Sequence, residues 1–211
     1  KRFNVDVRTQ SEVVSIQRKD KTITIKNSDG IETVESYDKL LLATGATAIC
    51  PPISGIDLPG VFTLRNVDDT DRIKRFVQNR NVEHVAVVGA GFIGLEMAEN
   101  LQHAGAKVSV IERENQVMAP LDYSMASLVH QHLIQKGVDL YLEHSVEAFE
   151  AVDNKIRVKI GGEHSIIVDL VVLSMGVRPE SQLASKAGLE IGKTRGVVVN
   201  EYLQTSDASI F

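Results

Sequence analysis

The sequence predicts an α/β fold whose main part is a doubly wound parallel sheet that carries a β-meander. Apolar runs typical of buried strands alternate with helical patterns over residues 61–175. His84–Glu112 contains a complete strand–helix–strand unit. Residues 145–168 interrupt the alternation with a predicted meander that turns at Gly161–Gly162. Because alternating strands and helices favour a parallel sheet with helices on its faces, this order describes a complete doubly wound domain.

The strand–helix–strand unit carries glycines at the spacing of a dinucleotide-binding loop. The apolar run Val85–Val88 leads directly into Gly-Ala-Gly-Phe-Ile-Gly. We expect Gly89 to form the tight turn, Gly91 to let the backbone approach a pyrophosphate, and Gly94 to let the helix pack closely. The N–H groups of the helix N-terminus then face the phosphate charge. The unit is therefore predicted to be Rossmann-like, and its candidate NAD(P)H ligands are Gly89, Ala90, Gly91, Phe92, Ile93 and Gly94.

Glu112 ends the second strand of this unit, 18 residues past Gly94. An acid at this place can accept a hydrogen bond from a ribose 2′-hydroxyl, and its charge would repel a 2′-phosphate. The alternative is a solvated acid at the end of a strand. The adjacent Arg113 could instead accept a 2′-phosphate. The sequence favours NADH, with NADPH less favoured.

Composition and charge exclude several classes of partner. The 211 residues are 43% hydrophobic and 24% charged, as in an ordinary globular protein. A net charge of −5 and the absence of Trp argue against nucleic acid and anionic membranes as partners. No apolar run approaches the roughly 20 residues that span a bilayer. The single cysteine, Cys50, excludes an internal disulfide and favours a cytoplasmic location. The six histidines show no metal-binding spacing, so no metal site is expected.

Alternation and apolar runs predict further strands. Leu40–Ala43 is a continuous apolar run, typical of a strand that is buried on both faces. Asn27–Gly30 is predicted to form a hairpin turn. The predicted strands outside the strand–helix–strand unit and the meander are Phe3–Val7 (with Val5 and Val7 alternating), Thr22–Ile25, Ile31–Val34, Leu40–Ala43, Val138–Leu142, Leu170–Ser174 and Val197–Val199.

Three further helices are predicted, over about 69–80, 122–136 and 181–187. The first has an apolar stripe of Ile73, Phe76 and Val77, with acids at its N-terminus. The second repeats apolar residues at helical spacing and has Gly137 at its C-terminal cap. We expect His132 to be a core residue on that stripe and His130 to point to a different face. The stripe consists of Met125, Leu128, Val129, His132 and Leu133.

The ends of the chain suggest a fragment of a longer protein. Lys1 is not a methionine, and Ala208–Phe211 stops on an apolar pair. Residues 1–50 and 176–211 do not close a fold by themselves. We expect them to be two pieces of an incomplete second domain into which residues 51–175 are inserted, with residues 50–60 as a linker.

Three segments resemble the FAD-dependent pyridine nucleotide-disulfide oxidoreductases. They are Tyr37–Ala46 (YDKLLLATGA), the segment VAVVGAGFIGLEMAENL with Glu112, and Leu173–Ser181 (LSMGVRPES). Within that family the chain resembles the single-cysteine branch, which comprises coenzyme A disulfide reductases, NADH oxidases and NADH peroxidases. Gln116–Asp122 is most similar to coenzyme A disulfide reductases and their rhodanese-fused members.

The resemblance implies a domain assignment and a reaction. Residues 1–50 and 176–211 would belong to a partial FAD-type domain, and residues 51–175 to the NAD(P)H-binding domain. Hydride would pass from NADH to FAD, and electrons then to a disulfide, peroxide or oxygen. The family's redox cysteine belongs to an N-terminal segment outside this chain, so Cys50 is not assigned that role and no catalytic residue is expected. The parent would be a homodimer through a C-terminal domain, and the isolated chain would be inactive.

The resemblance also assigns roles to residues outside the glycine loop. Phe92 would cover the nicotinamide stacking site, or instead be a core aromatic at the helix start. Glu96 would lie near the nicotinamide, or only complement the helix dipole. Gly176 and Val177 would line the nicotinamide side of the pocket, or simply form a turn. Contacts with FAD in the complete protein are implied for Ala43, Thr44, Gly45, Ala46 and Arg65.

Two other functions stay open at this stage. A ferredoxin or rubredoxin reductase-like flavoprotein would share the dinucleotide motif but pass electrons to a protein partner. A basic docking patch would favour it, and the net charge of −5 does not. A non-catalytic module that senses NADH is the other alternative, and it would need an element with two states.

Overall fold

The computed structural model describes residues 5–162 and 164–211, which form two compact units. The first unit contains the described residues up to Thr47 together with Arg178–Phe211, and the second is Ala48–Val177. The elements, in chain order, are β1 (Ser11–Gln17), β2 (Thr22–Asn27), β3 (Glu32–Ser36), β4 (Ala46–Ala48), β5 (Val61–Thr63), α1 (Val67–Asn79), β6 (His84–Val88), α2 (Phe92–His103), β7 (Lys107–Ile111), α3 (Tyr123–Gln135), β8 (Asp139–Tyr141), β9 (Ala148–Val152), β10 (Lys155–Lys159), β11 (Ser165–Val168), β12 (Leu170–Leu173), β13 (Val177–Pro179) and α4 (Gln182–Lys186).

The first unit is built on an antiparallel sheet in the order β1-β2-β3. The predicted hairpin between β2 and β3 is confirmed: Asn27 Oδ1 accepts hydrogen bonds from the N–H groups of Asp29 and Ile31, and Gly30 has φ +79°. The sequence did not predict β1, because the adjacent apolar pair Val13–Val14 breaks its alternation. The register of β1 against β2 shifts at that same point.

Three predicted strands of the first unit are wrong. Leu40–Ala43 is not a strand buried on both faces: Leu40 forms an isolated bridge with Ile210, and Leu41 is 71% exposed. Leu40 and Leu42 pack against the small core around Ile210, whereas Leu41 and Ala43 on the other face are exposed, so only one face of the segment is covered. Val5 and Val7 lie in irregular, exposed chain, while Phe3 is outside the described residues. Val197 forms an isolated bridge with Ile191, and no strand continues through residues 198–199.

The second unit contains the predicted parallel sheet, in the order β5-β12-β6-β7-β8. Along β6, Val85 and Val87 belong to the core shared with the helices, whereas Ala86 and Val88 belong to the core shared with the meander. Both faces of the strand are therefore buried, which explains why it is a continuous apolar run rather than an alternating one. The short strand β5 was not predicted, and it extends one edge of the sheet through parallel pairing with β12.

The meander is confirmed as an antiparallel sheet in the order β11-β10-β9, with a turn at Gly161–Gly162. Phe149, Ile156 and Val158 are buried against the sheet face opposite the helices. The first predicted helix is also confirmed as α1. It begins with a capping box in which Asn66 and Asp69 bond each other's backbone N–H groups. The longest helices have 13 residues, and no helix in the described parts of the chain is long and apolar enough to cross a membrane.

The helix α3 forms where predicted, but only part of the predicted apolar stripe faces the core, through Val129 and Leu133. Met125 and Leu128 are exposed, and so is His132, which we expected in the core. The buried residues are Ala126 and His130. The physical reason is a hydrogen bond that the helical pattern does not reveal: His130 Nε2 accepts the backbone N–H of Val117 at 3.1 Å.

Acidification is expected to destabilise the fold through His130. Burial lowers the pKa of His130, so the folded state favours the neutral ring that can accept the Val117 N–H. This stabilisation is fully present above the ordinary histidine pKa of about 6.5 and is lost as the pH falls below it. His130→Gln retains an acceptor but does not titrate. It should reduce the pH slope of the unfolding free energy by up to about 1.4 kcal/mol per pH unit.

The measurement is denaturant unfolding between about pH 7.5 and pH 5.5, where the unfolded chain takes up a proton that folded His130 does not. His84 changes the pH dependence of stability in the same direction, because burial lowers its pKa as well. Some pH dependence of the unfolding free energy will therefore persist in His130→Gln. The matched control is His132→Gln on the exposed side of α3. Equal slopes in the wild type and His130→Gln would contradict this account.

Candidate dinucleotide site

The glycine loop lies at the carboxyl edge of the parallel sheet, between β6 and α2. Gly89 has φ +99°, and a Cβ atom there would lie 2.4 Å from the backbone oxygen of Ser174. A side chain is therefore excluded twice, by the backbone conformation and by the neighbouring chain. Gly94 packs equally closely, because its Cβ would lie 1.9 Å from the backbone oxygen of Gly89.

Gly91 differs from the other two glycines because nothing lies within 4 Å of a Cβ placed there. It is the N-cap residue of α2, and no side chain caps this helix end. The first N–H groups of a helix have no partner within the helix, and they carry the positive end of its dipole. The open space above Gly91 and the uncapped helix end together form a place where an anionic group can approach the backbone.

Glu112 is half-buried at the end of β7 and contacts the glycine loop directly. Its Oε2 accepts the N–H of Ala90 at 2.7 Å, and its Oε1 accepts the N–H of Glu114 at 3.0 Å. The backbone oxygen of Ala90 in turn accepts the N–H of Met118 at 2.9 Å. Each carboxylate oxygen has a further lone pair, so Glu112 can still accept a hydroxyl group beside the loop.

Arg113 extends into solvent and pairs with Glu114. Its Nη2 lies 2.9 Å from Glu114 Oε1, and both side chains are largely exposed. An exposed pair of this kind contributes about 1 kcal/mol or less. The Arg113 guanidinium is therefore held only weakly. It lies next in sequence to Glu112, whose carboxylate contacts the glycine loop.

The apolar side chains at the start of α2 are exposed. Phe92 is 66% exposed, which contradicts the alternative that it is a core aromatic. Ile93 is 42% exposed. Glu96 is exposed on the next part of the helix and lines a groove of about 380 Å³ between α2 and α3. Leu95 and Val129 contribute apolar surface to this groove, so Glu96 faces α3 as well as solvent.

The segment after β12 passes the same edge of the sheet. Gly176 has φ +92° and accepts the N–H of Ile49 at 2.9 Å, which fixes this turn to the linker. Val177 is 47% exposed at the start of the short strand β13. Residue 176 thus lies in a turn, and the strand β13 that follows it pairs with β4.

The residues to which the resemblance assigns FAD contacts lie in two places. Ala43, Thr44 and Gly45 are exposed in the first unit, with Ala46 half-buried after them. Arg65 is exposed in the second unit, and its N–H donates to Asp69 at 2.9 Å. Cys50 is a free, exposed thiol, and no group of three potential metal ligands occurs in the described ranges.

Ser174, the residue that directly follows β12, packs against the glycine loop, a contact that the sequence did not predict. Its backbone N–H donates to Val88 at 2.7 Å, and its backbone oxygen lies against Gly89. Its hydroxyl oxygen is buried without a hydrogen-bond partner among the described residues. The one sequence feature related to this contact is that Ser174 ends the predicted strand Leu170–Ser174.

The sheet order and the glycine loop define the class of this protein. From β6 the chain adds β7 and then β8 towards one edge of the sheet. It then returns to add β12 on the other side of β6, so the direction in which strands are added reverses at β6. Such a reversal is a topological switch point, and ligands of open α/β sheets bind outside the carboxyl ends of the strands there. The second unit therefore has a Rossmann-like fold. The chain belongs to the pyridine nucleotide-disulphide oxidoreductase family, whose profile matches residues 1–211.

Individual relatives agree with this family. The chain is 39% identical over 209 residues to the NADH oxidase of Methanocaldococcus jannaschii, covering 99% of this chain and 46% of the relative. It is 42% identical over 176 residues to the nitric oxide reductase FlRd-NAD(+) reductase of Klebsiella pneumoniae, covering 83% and 45%. The crystal structure of the reduced coenzyme A disulfide reductase CoADR-RHD of Bacillus anthracis superimposes with a TM-score of 0.95 at 46% identity, covering 100% of this chain and 38% of that one. The chain thus spans less than half the length of each.

Proposed function

We propose that this chain is the NADH-binding part of a FAD-dependent oxidoreductase. The complete protein would pass hydride from NADH to FAD, and electrons then to a disulfide, peroxide or oxygen. The observation that carries the proposal is the contact between Glu112 and Ala90, because it places an acid beside the open glycine loop. The identities to an NADH oxidase and to a coenzyme A disulfide reductase support the reaction class.

The residues of this chain bind and orient the dinucleotide. The uncapped N-terminus of α2 would donate its N–H groups to the diphosphate, which approaches over Gly91. Glu112 would accept the 2′-hydroxyl of the adenosine ribose. A 2′-phosphate at the same place would meet the carboxylate charge, so NADH is preferred over NADPH.

The strand order supports different positions for the two halves of the dinucleotide, on the two neighbours of β6. Glu112 directly follows β7, so the adenosine half would lie on that side and the nicotinamide half on the side of β12. Gly176 and Val177 follow β12 and would line the nicotinamide side. The exposed Phe92 would cover the stacking site, and Glu96 would lie near the nicotinamide.

The cofactors supply the redox chemistry, and the protein supplies position and specificity. We assign residues 51–175 to the NAD(P)H-binding domain and residues 1–50 and 176–211 to a partial FAD-type domain. FAD would contact Ala43–Ala46 and Arg65. The redox cysteine would lie in a part of the parent protein outside this chain, and the parent would be a cytoplasmic homodimer.

A second candidate is a flavoprotein that passes electrons to a protein partner. The identity to the Klebsiella FlRd-NAD(+) reductase supports it. It would use the same NADH site on this chain and differ only in the acceptor. Steady-state reduction of rubredoxin-type proteins against small disulfides by the complete parent would separate the two candidates.

Calorimetric titration of this chain with NADH, NADPH and FAD tests the proposal. We expect NADH to bind more tightly than NADPH, no stable FAD complex, and no NADH oxidation by the chain alone. Absence of NADH binding would contradict the proposed site. Turnover by the chain with bound FAD would contradict the division of the reaction between this chain and the rest of the parent.

Glu112→Gln is expected to reverse the coenzyme preference. The loss of a hydrogen bond to a charged acceptor, worth about 1.5–3 kcal/mol, should raise the Kd for NADH about tenfold or more. NADPH should gain affinity, because the repulsion of its 2′-phosphate is removed while Arg113 remains nearby. Glu114→Gln is the matched control, since it frees Arg113 and keeps Glu112. An unchanged ratio of NADH to NADPH affinity in Glu112→Gln would show that Glu112 does not recognise the ribose.

A further inference from the structure

The chain between β7 and α3 is an irregular segment that is anchored to α3 by His130. The described residues 112–122 contain no helix or strand, so their buried backbone groups need partners outside a regular ladder. Val117 in this segment is fully buried, and its N–H donates to His130 Nε2 at 3.1 Å. The ring of Tyr123 lies edge-on to the His130 ring, with 6.1 Å between the centroids. The acceptor therefore comes from a side chain whose ring is packed in place.

The next residue of the same segment is bonded to the glycine loop. The Met118 N–H donates to the Ala90 backbone oxygen at 2.9 Å. Two successive N–H groups of the chain thus bind α3 and the glycine loop. Met118 also has φ +51°, a conformation that residues other than glycine rarely adopt. This stretch of backbone is therefore determined by its contacts rather than by local preference.

The bond from Met118 fixes the orientation of the peptide group between Ala90 and Gly91. The Ala90 oxygen and the Gly91 N–H belong to one planar trans peptide, so the direction of one determines the direction of the other. The Ala90 N–H, in the preceding peptide group, is held by Glu112 Oε2 at 2.7 Å. Both peptide groups that flank Ala90 are thus fixed by residues that follow β7.

We infer that His130 is a positioning residue of the dinucleotide site: its ring holds residues 117–118 in the place from which Met118 orients the glycine loop. His130 does not touch the ligand, and no part of the fold has to move for it to act. The inference rests on the proposed function and adds a residue outside the glycine motif. It explains why α3 buries a polar side chain, since an apolar one would leave the Val117 N–H without its acceptor.

His130→Leu removes the acceptor and tests the inference in the free protein. In amide NMR, the signals of Met118 and Gly91 should move from their wild-type positions. His130→Gln keeps an acceptor and should return both signals towards those positions. His130→Met, which has only a weak acceptor, is the second variant should His130→Leu not fold. An unchanged Gly91 signal in the variant without the acceptor would overturn the inference, whether or not NADH binds.

Calorimetric titration with NADH gives the second measurement. We expect the glycine loop to be competent for binding in about 10–20% of His130→Leu molecules, which raises the Kd for NADH about five- to tenfold. The Kd for NADPH should rise by the same factor, because Glu112 is unchanged. His130→Gln should restore most of the affinity. A wild-type Kd in His130→Leu, or no restoration by His130→Gln, would overturn the inference.

Val158→Ala is the control for general destabilisation. Val158 is fully buried in β10, in the core shared with the meander on the other face of the sheet. Its truncation should lower the melting temperature but change neither the Gly91 signal nor the Kd for NADH. Equal loss of NADH affinity in Val158→Ala and His130→Leu would overturn the inference. Failure of the wild type to bind NADH would overturn the proposed function, and the NMR comparison of the free proteins would still decide whether His130 orients the loop.

Discussion

Gly89→Ala is expected to destabilise the second unit by about 3 kcal/mol, the upper range for overpacking combined with backbone strain. Two independent effects add. The residue has φ +99°, a conformation that a side chain disfavours, and its Cβ would lie 2.4 Å from the Ser174 backbone oxygen. The Ser174 backbone cannot move away easily, because its N–H is bonded to Val88 within the sheet.

Thermal unfolding followed by circular dichroism measures this effect. For a unit of this size the melting temperature should fall by roughly 5–10 °C. Binding of NADH should be lost as well, since the tight turn cannot form. A variant with the wild-type melting temperature would show that the loop has a different conformation from the one described here.

Gly91→Ala is expected to weaken NADH binding about 100-fold while leaving the fold intact. Its Cβ meets nothing within 4 Å in the free protein, and its φ of −78° suits any residue. A methyl group there would occupy the space through which the diphosphate approaches the uncapped helix end. Loss of two charge-assisted hydrogen bonds, of about 1.5 kcal/mol each, corresponds to an increase in Kd of about 100-fold.

The two glycine variants control for one another. Gly91→Ala should change the unfolding free energy by less than about 1 kcal/mol, the usual size of an N-cap substitution. Gly89→Ala should lose both stability and binding. Wild-type NADH affinity in Gly91→Ala would mean that no ligand approaches the loop at this point. Equal destabilisation by both variants would mean that the open space above Gly91 does not exist in solution.

Local signals in the sequence predicted the elements that frame the site. The apolar run of β6, the three glycines and the acid at residue 112 lie within one short segment, so their order determines both the turn and the position of the helix. The buried face of α3 could not be predicted in this way. Its buried positions include Ala126 and His130, which are weakly apolar, whereas the exposed Met125 and Leu128 dominate the helical pattern.

Long-range contacts account for the remaining differences. Leu40–Ala43 has the composition of a buried strand, but a strand is buried only when neighbours cover both of its faces. The bond from the Ala90 N–H to Glu112 depends on how β7 meets the loop. The unpaired hydroxyl of Ser174 depends on the approach of α2 to β12. None of these contacts is encoded in a local pattern.

The central claim is that NADH binds across the glycine loop at the N-terminus of α2. Amide NMR of the isotope-labelled chain, titrated with NADH, tests it most directly. The account predicts that the largest shifts occur at Gly91 and Phe92, with a further shift at Glu112, and that Gly91→Ala removes them. Shifts confined to the groove between α2 and α3, around Val129 and Leu133, would contradict it.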